Sequence, residues 1–259
     1  MKKFILVTGA TSGIGYEMAR LLAEKKYNLI LVARSTNKLA QMQIEFEGRF
    51  GIEVHYFDKD LTMVNEAVDL FDSVIEKNLQ VSHLVNNAGF GGYGSFLETD
   101  LVHEIDMINL NISSLVVLTK LFAKDMAQRG EGRIMNVASL LSFIPFPYYS
   151  VYSSTKAFVL AFTETVAAEL EGTGIVVTAL CPGTVETGFH TPEMRRTNAM
   201  HANKPVPPEV VAKAGLKLLL QGKGKKIVGW NNWFISNLPR ITPDSLMMKI
   251  KKNLASAKS

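Results

Sequence analysis

The chain has 259 residues, 47% hydrophobic and 20% charged, a balance that suits one large folded domain and excludes a disordered or low-complexity chain. A single cysteine, Cys181, excludes an internal disulfide framework and a cysteine-based zinc cluster, and agrees with a reducing compartment. The net charge of +4 is unevenly spread: residues 213–259 hold ten Lys or Arg and one acid, Asp244, for a net of +9, which leaves −5 on the first 212. The basic character therefore belongs to the C-terminal segment and does not point to nucleic acid.

The chain opens MKKFILVTGA, two lysines before an apolar run, but the run stops at Gly9, well short of a signal-peptide core. FILVT at 4–8 reads instead as a buried first strand. TGATSGIG at 8–15 joins it to IGYEMARLLAEKK at 14–26, whose apolar positions recur at helical spacing. Glycines 9, 13 and 15 at that junction allow a tight turn and the approach of backbone N–H groups and a helix N-terminus to a pyrophosphate. Their spacing is GxxxGxG rather than GxGxxG.

The second strand, LILVA at 29–33, ends at Ala33 and Arg34, where an NAD-binding Rossmann unit places an acid for the ribose 2′-hydroxyl. A guanidinium with no carboxylate beside it suits a 2′-phosphate; the plainer alternative is a solvated loop arginine. After the third strand, IEVHYF at 52–57, Asp60 stands in FDKDLT, placed either to accept from an adenine amino group or to cap the next helix. MVNEAVDLFDSVIEK at 63–77 is amphipathic, and HLVNNA at 83–88, RIMNVAS at 133–139 and IVVTALC at 175–181 are further strands. Runs apolar on both faces, separated by crossover helices, predict an α/β fold. It is a Rossmann-like, doubly wound parallel sheet in a single three-layer domain. Ligands bind such sheets beyond the carboxyl ends of the strands. No apolar stretch is expected to approach the roughly 20 residues of a membrane span. His55, His83, His103, His190 and His201 lack metal-ligand spacing, so no metal is expected.

VYSSTK at 151–156 sets Tyr152 four residues before Lys156, which stacks them on one helix face. A phenol with a pKa of about 10 is a poor proton donor or acceptor at neutral pH, and an ammonium beside it favours the phenolate. A tuned tyrosine can act as a general acid or base. A lone YxxxK is also an ordinary surface pair, so the rest of the chain must decide.

TGATSGIG, Asp60 with Leu61, NNAG at 86–89, Asn111 in NLNISS, Ser139 in NVAS, YSSTK, and PGTVET at 182–187 stand in an order and spacing that resembles the short-chain dehydrogenase/reductase family, over residues 4–230. The resemblance implies an oxidoreductase using NADP(H), ahead of NAD(H), to interconvert a carbonyl and an alcohol. Tyr152 would be the acid or base, Lys156 would lower its pKa and hold the nicotinamide ribose, and Ser139 would bind the same substrate oxygen. Asn111, ahead of its rival Asn109, would hold a water linking Lys156 to solvent. Gly9, Thr11, Ser12, Gly13, Ile14 and Gly15 would hold the pyrophosphate. Arg34 with Ser35 would hold the 2′-phosphate, because Ser12 stands where some NADP-preferring relatives carry a basic residue. Asn87, Ala88 and Gly89 would line the adenine-ribose side, with Asp60 on the adenine amino group and Thr187 on the nicotinamide carboxamide; Leu61, Pro182, Gly183 and Val185 would also contact the cofactor. The cofactor carries the hydride and the protein supplies geometry and electrostatics.

FIPFPYYS at 143–150 either packs its own loop or walls the reacting carbonyl with apolar side chains suited to a lipophilic ketone, an acyl chain or a sterol-like ring. The polar stretch at 188–207 sits where the family often has a mobile lid. Within it, Arg195 and Arg196 either meet an anionic group or are solvated. The domain reading is a catalytic unit over 1–230 and a basic, apolar extension over 231–259. In TPDSLMMKIKKNL at 242–254, Ser245 or Asp244 is expected to cap a helix with Leu246, Met247, Ile250 and Leu254 on its apolar face. That helix would cover the cleft, pack on another subunit or lie on an anionic membrane. The expectation is a cytoplasmic carbonyl reductase or alcohol dehydrogenase, a homodimer or homotetramer, acting on a small molecule and not on nucleic acid. Two other readings stay open: a non-catalytic dinucleotide-binding regulator or scaffold, and a membrane-peripheral lipid-ketone reductase.

Overall fold

The computed structural model describes residues 2–256 apart from Pro145, Phe189, His190, Asn203 and Ile241. Pro145 of the expected wall, and Phe189, His190 and Asn203 of the expected lid, thus lie outside the described residues.

The strands are β1 (Lys3–Thr8), β2 (Asn28–Ala33), β3 (Val54–Asp58), β4 (Gln80–Asn86), β5 (Gly132–Val137), β6 (Ile175–Cys181) and β7 (Gly224–Ile227). In chain order the helices are α1 (Gly13–Glu24), α2 (Thr36–Phe50), α3 (Val64–Glu76), α4 (Leu101–Ile108), α5 (Leu115–Arg129), α6 (Ser150–Glu169), α7 (Pro192–Arg195), α8 (Asn198–Ala202), α9 (Pro208–Gln221), α10 (Trp230–Asn237) and α11 (Asp244–Ala255). Because side chains alternate along a strand, Phe4 and Leu6 of β1 and Ile30 and Val32 of β2 enter one apolar layer, while Ile5, Val7, Leu29 and Leu31 enter the other. Helices α1, α2 and α9 close the second layer through Met18, Phe46 and Leu216; α3 and α5 close the first through Leu70 and Phe122. The result is one all-parallel sheet in the order β3-β2-β1-β4-β5-β6-β7, the doubly wound arrangement expected. Strand β7 carries no sequence signal: GKKI is short, basic and almost wholly exposed at the sheet edge.

A polar seam crosses the first layer. Asn86 Nδ2 donates to Asn136 Oδ1 at 2.9 Å and to Thr119 Oγ1 at 3.0 Å, and Asn136 Nδ2 donates to Thr163 Oγ1 at 3.0 Å. These bonds hold β4 and β5 to α5 and α6, the elements that carry the candidate site. Between α4 and α5, residues Asn109–Ser114 form a π-helical turn, a form found mostly as single turns at functional positions. Among the described residues this continuous helix, Leu101–Arg129, is long and apolar enough by length and composition to cross a membrane, contrary to the expectation that no stretch would be. Its Leu118, Phe122 and Met126 pack on the sheet.

The expected lid forms the short helices α7 and α8. The C-terminal helix differs from its sequence reading. It starts at Asp244 directly after Pro243, so neither Asp244 nor Ser245 is at the N-cap. Met247, Lys251 and Ala255 face inward and Leu254 is half-buried, whereas Leu246 and Ile250 are exposed. The rotation follows from its anchors: Tyr93 OH donates to Ala255 O at 2.8 Å, and Asn198 Nδ2 of α8 donates to Asn253 O at 2.9 Å.

Phe122 is wholly buried and meets Phe71 edge-on at 5.1 Å between centroids. Phe122→Ala should destabilise the fold by about 3–5 kcal/mol. A lower urea midpoint at unchanged m-value checks this; an unmoved midpoint would contradict the assignment of Phe122 to the core.

Candidate active site

The sheet order reverses between β1 and β4, and the turns that follow these strands are stitched together. Thr8 Oγ1 accepts from Asn87 N at 3.0 Å and Ala88 N at 2.9 Å and donates to Val85 O at 3.3 Å. Asn87 Nδ2 donates to Thr8 O at 2.9 Å and to Gly9 O at 3.3 Å. Gly9 sits at φ +65°, and a Cβ on Gly15 would lie 2.2 Å from Gly9 O, so any side chain at 15 would collide with the turn. Ser12 and Ser35 occupy the N-caps of α1 and α2 without side-chain cap bonds, which leaves the first-turn N–H groups to an outside acceptor. Arg34 is exposed at the same rim. The loop after β6 reaches this turn: a Cβ on Gly13 would lie 3.0 Å from Thr187 Cγ2. Glycine torsion, helix N-termini and an exposed guanidinium together fit a dinucleotide phosphate.

Helix α6 supplies Tyr152 and Lys156, both buried. Lys156 Nζ donates to Val137 O at 2.8 Å, and Ser142 Oγ donates to Lys156 O at 2.6 Å. Ser139 and Ser142 cap each other's short turn, Leu140–Ser142, and the Ser139 hydroxyl is hydrogen-bonded to Tyr152. Asn111 sits in the π-helical turn, wholly buried, and donates to Phe90 O at 3.0 Å and Thr155 Oγ1 at 3.1 Å. Its rival Asn109 is only half-buried. A Cβ on Gly89 would lie 2.8 Å from Asn111 Oδ1 and 3.4 Å from Lys156 Nζ, so both atoms flank that glycine.

Burial pushes the Tyr152 phenol up to about 12, against the pull of the Ser139 hydrogen bond. It pushes the Lys156 ammonium down to about 8. The expected lowering of the Tyr152 pKa is therefore reversed here: desolvation disfavours both charged forms.

These groups open on one cavity of about 600 Å³. Of the residues expected at the site, Thr11, Gly15, Ser35, Asp60, Leu61 and Asn111 are outside its lining, and the others line it. Asp60 Oδ1 accepts from Thr62 N at 3.1 Å and Thr62 Oγ1 at 2.9 Å, closing its own turn, and Leu61 O accepts from Ser114 Oγ at 2.6 Å. Beyond Tyr152 the wall is apolar, built by Leu141, Ile144 and Phe146 with Ile235 of α10 and Leu254 of α11. Tyr149 is buried there, raised to about 12, and bonded to Thr197 beside α8. Thr8, Thr197 and Ile235 are site residues that sequence reading missed, since their partners are remote in the chain. A second hollow of about 540 Å³ lies at the opposite ends of the strands, beside Lys25, Tyr27 and His83. Burial holds His83 down at about 4, and no carboxylate is among the described residues that line this hollow.

A model of the short chain dehydrogenase family matches residues 3–198. The chain is 33% identical to a very-long-chain 3-oxoacyl-CoA reductase of Anas platyrhynchos, over 96% of this chain and 80% of that one. A short-chain dehydrogenase from Sphingobium yanoikuyae, solved in complex with NADPH, superposes with a TM-score of 0.80 at 26% identity, covering 95% of each chain. An actinorhodin polyketide ketoreductase solved with NADPH gives a TM-score of 0.77 at 31% identity, over 88% of this chain and 95% of that one.

The buried lysine has a signature in stability. Lys156 titrates at about 8 in the fold against 10.5 when unperturbed, so between those values the unfolded chain binds more protons and stability rises with pH. The penalty is full below about 8 and is relieved by 10.5. Urea unfolding should show wild type gaining on Lys156→Met across that window; a constant difference would contradict the lowered pKa.

Proposed function

The chain belongs to the short-chain dehydrogenase family, and from that premise we propose that it is an NADP(H)-dependent oxidoreductase that interconverts a lipophilic ketone or aldehyde, such as an acyl or sterol-like carbonyl, with its alcohol. The observation that carries the reading is the meeting of Ser139, Tyr152 and Lys156 in one cavity, between a phosphate-binding turn and an apolar wall. NADPH, when bound, supplies the hydride. The turn from Gly9 to Gly15 and the N-terminus of α1 would hold the pyrophosphate, and Arg34 would hold the 2′-phosphate. Ala33 puts no carboxylate against it.

Tyr152, at about 12, is protonated at neutral pH and starts as the acid, which suits reduction. It gives its proton to the carbonyl oxygen while Ser139 hydrogen-bonds the same oxygen and stabilises the charge gathering there. Lys156, at about 8, keeps most of its charge at neutral pH and stands one helical turn from Tyr152 on α6. Asn111 acts through its neighbours: its bonds to Phe90 and Thr155 place Gly89 and the first turns of α6.

The apolar wall supports a long or ring-shaped carbonyl substrate, and relatives that act on 3-oxoacyl-CoA or polyketide carbonyls support the same class. A homodimer or homotetramer belongs to this reading, supported by exposed Leu101, Val102 and Ile105 on α4. So does a cytoplasmic setting, supported by the lone, buried Cys181.

NADPH absorbance across a panel of carbonyls tests the reading. Tyr152→Phe should keep NADPH binding and lose about 10² to 10⁴ in kcat; near-normal turnover would end the mechanism. Arg34→Ala should raise the KM for NADPH about 10- to 150-fold, the worth of a charge-assisted contact of about 1.5 to 3 kcal/mol, and spare NADH. A wild-type preference for NADH would refute that role.

A further inference from the structure

Helices α10 and α11 each send one side chain to the cavity wall, Ile235 and Leu254. The opposite face of α10 is apolar and open to solvent, and that of α11 sets exposed lysines between exposed apolar residues. On α10, Trp230, Trp233 and Phe234 lie at i, i+3 and i+4, with Trp230 79% and Trp233 60% exposed. On α11, Leu246 and Ile250, at i and i+4, are exposed on one flank and Met248 on the other, with exposed Lys249 and Lys252 between them. The inner residues Asn232 and Ser236 of α10, and Met247 and Ala255 of α11, are buried, so neither helix can turn its outer face inward without unpacking. Two successive helices with large exposed apolar groups mark an interaction surface.

Charge identifies the occupant. Residues 213–259 carry a net +9 and the rest of the chain −5. Lys249 and Lys252 are exposed beside the apolar residues of α11, and Lys223 and Lys226 are exposed just before Trp230. A second copy seated face to face would oppose two such fields and be repelled. A layer of anionic head groups over hydrocarbon satisfies both features, with indole rings at head-group depth and lysines against lipid phosphates. We propose that the outer faces of α10 and α11 dock the folded protein on an anionic membrane surface. The helices seated on the lipid are then those that wall the cavity. Docking stands independently of the substrate; entry of a lipophilic carbonyl past Ile235 and Leu254 rests on the function proposed above.

Trp230 and Trp233 are the only tryptophans in the chain, so intrinsic fluorescence reports on this face alone. The full chain is titrated with vesicles of phosphatidylcholine, and of phosphatidylcholine with phosphatidylserine, and followed by emission and flotation. The expected result is a blue shift and flotation with the anionic vesicles, weakened by salt. The Lys249→Ala, Lys252→Ala pair should weaken binding about 30-fold, at about 1 kcal/mol per lysine. The Trp230→Ser, Trp233→Ser pair should lose flotation while keeping its mass and NADPH affinity. No shift in wild type, or flotation that neither pair alters, would overturn the proposal. So would a doubled mass that the Trp230→Ser, Trp233→Ser pair abolishes, which would give the face to a second copy. Turnover of a water-soluble carbonyl without vesicles is measured alongside, so that failure of docking and failure of the oxidoreductase reading are told apart.

Discussion

Lys156 Nζ lies 2.8 Å from the carbonyl of Val137, the last residue of β5, in surroundings that admit almost no solvent. An ammonium buried without an acceptor costs several kcal/mol, so this contact ties the register of α6 to the end of β5. Ser142 extends the tie, donating to the Lys156 carbonyl while sharing a reciprocal cap with Ser139. The strand end, the short turn and the first turns of α6 thus form one hydrogen-bonded unit. The distance from Ser139 to Tyr152 is a consequence of that unit, and the acid chemistry follows from it.

The two halves of the cavity are built by different means. The half beside β1 is stitched through its turns: the Thr8 hydroxyl receives two N–H groups from the turn after β4, and Gly15 lies against Gly9 with no room for a Cβ. The reacting half is built from titratable side chains whose neutral forms burial favours. Burial holds Tyr152 near 12 and Lys156 near 8, and the Ser139 hydrogen bond pulls the phenol the other way. Burial therefore favours the phenol over the phenolate.

The apolar wall of the cavity depends on the C-terminal segment. Asn232 of α10 packs so closely on the loop after β6 that a Cβ on Gly183 would lie 2.3 Å from its Nδ2. Tyr93 holds the end of α11. Inner faces committed to the cavity leave over an apolar outer face on α10 and a mixed apolar and basic one on α11.

The sequence by itself determined the layered parallel sheet. Strands β1 to β6 are apolar on both faces and the crossover helices repeat at helical spacing, patterns legible within a dozen residues. Strand β7 was not legible, because an exposed edge strand such as GKKI needs no apolar code. The order of the site motifs was legible as well, but not the protonation of Tyr152. Spacing places Lys156 beside it, whereas the direction of the shift depends on burial by distant segments. Nor did helical spacing say which face of α11 turns inward, since Tyr93 and Asn198 choose a face bearing Lys251 and Ala255 over one bearing Leu246 and Ile250. Periodicity is a short-range property of the chain. Desolvation, and the partner that satisfies a buried group such as Thr8, are decided by what the fold brings from far along it.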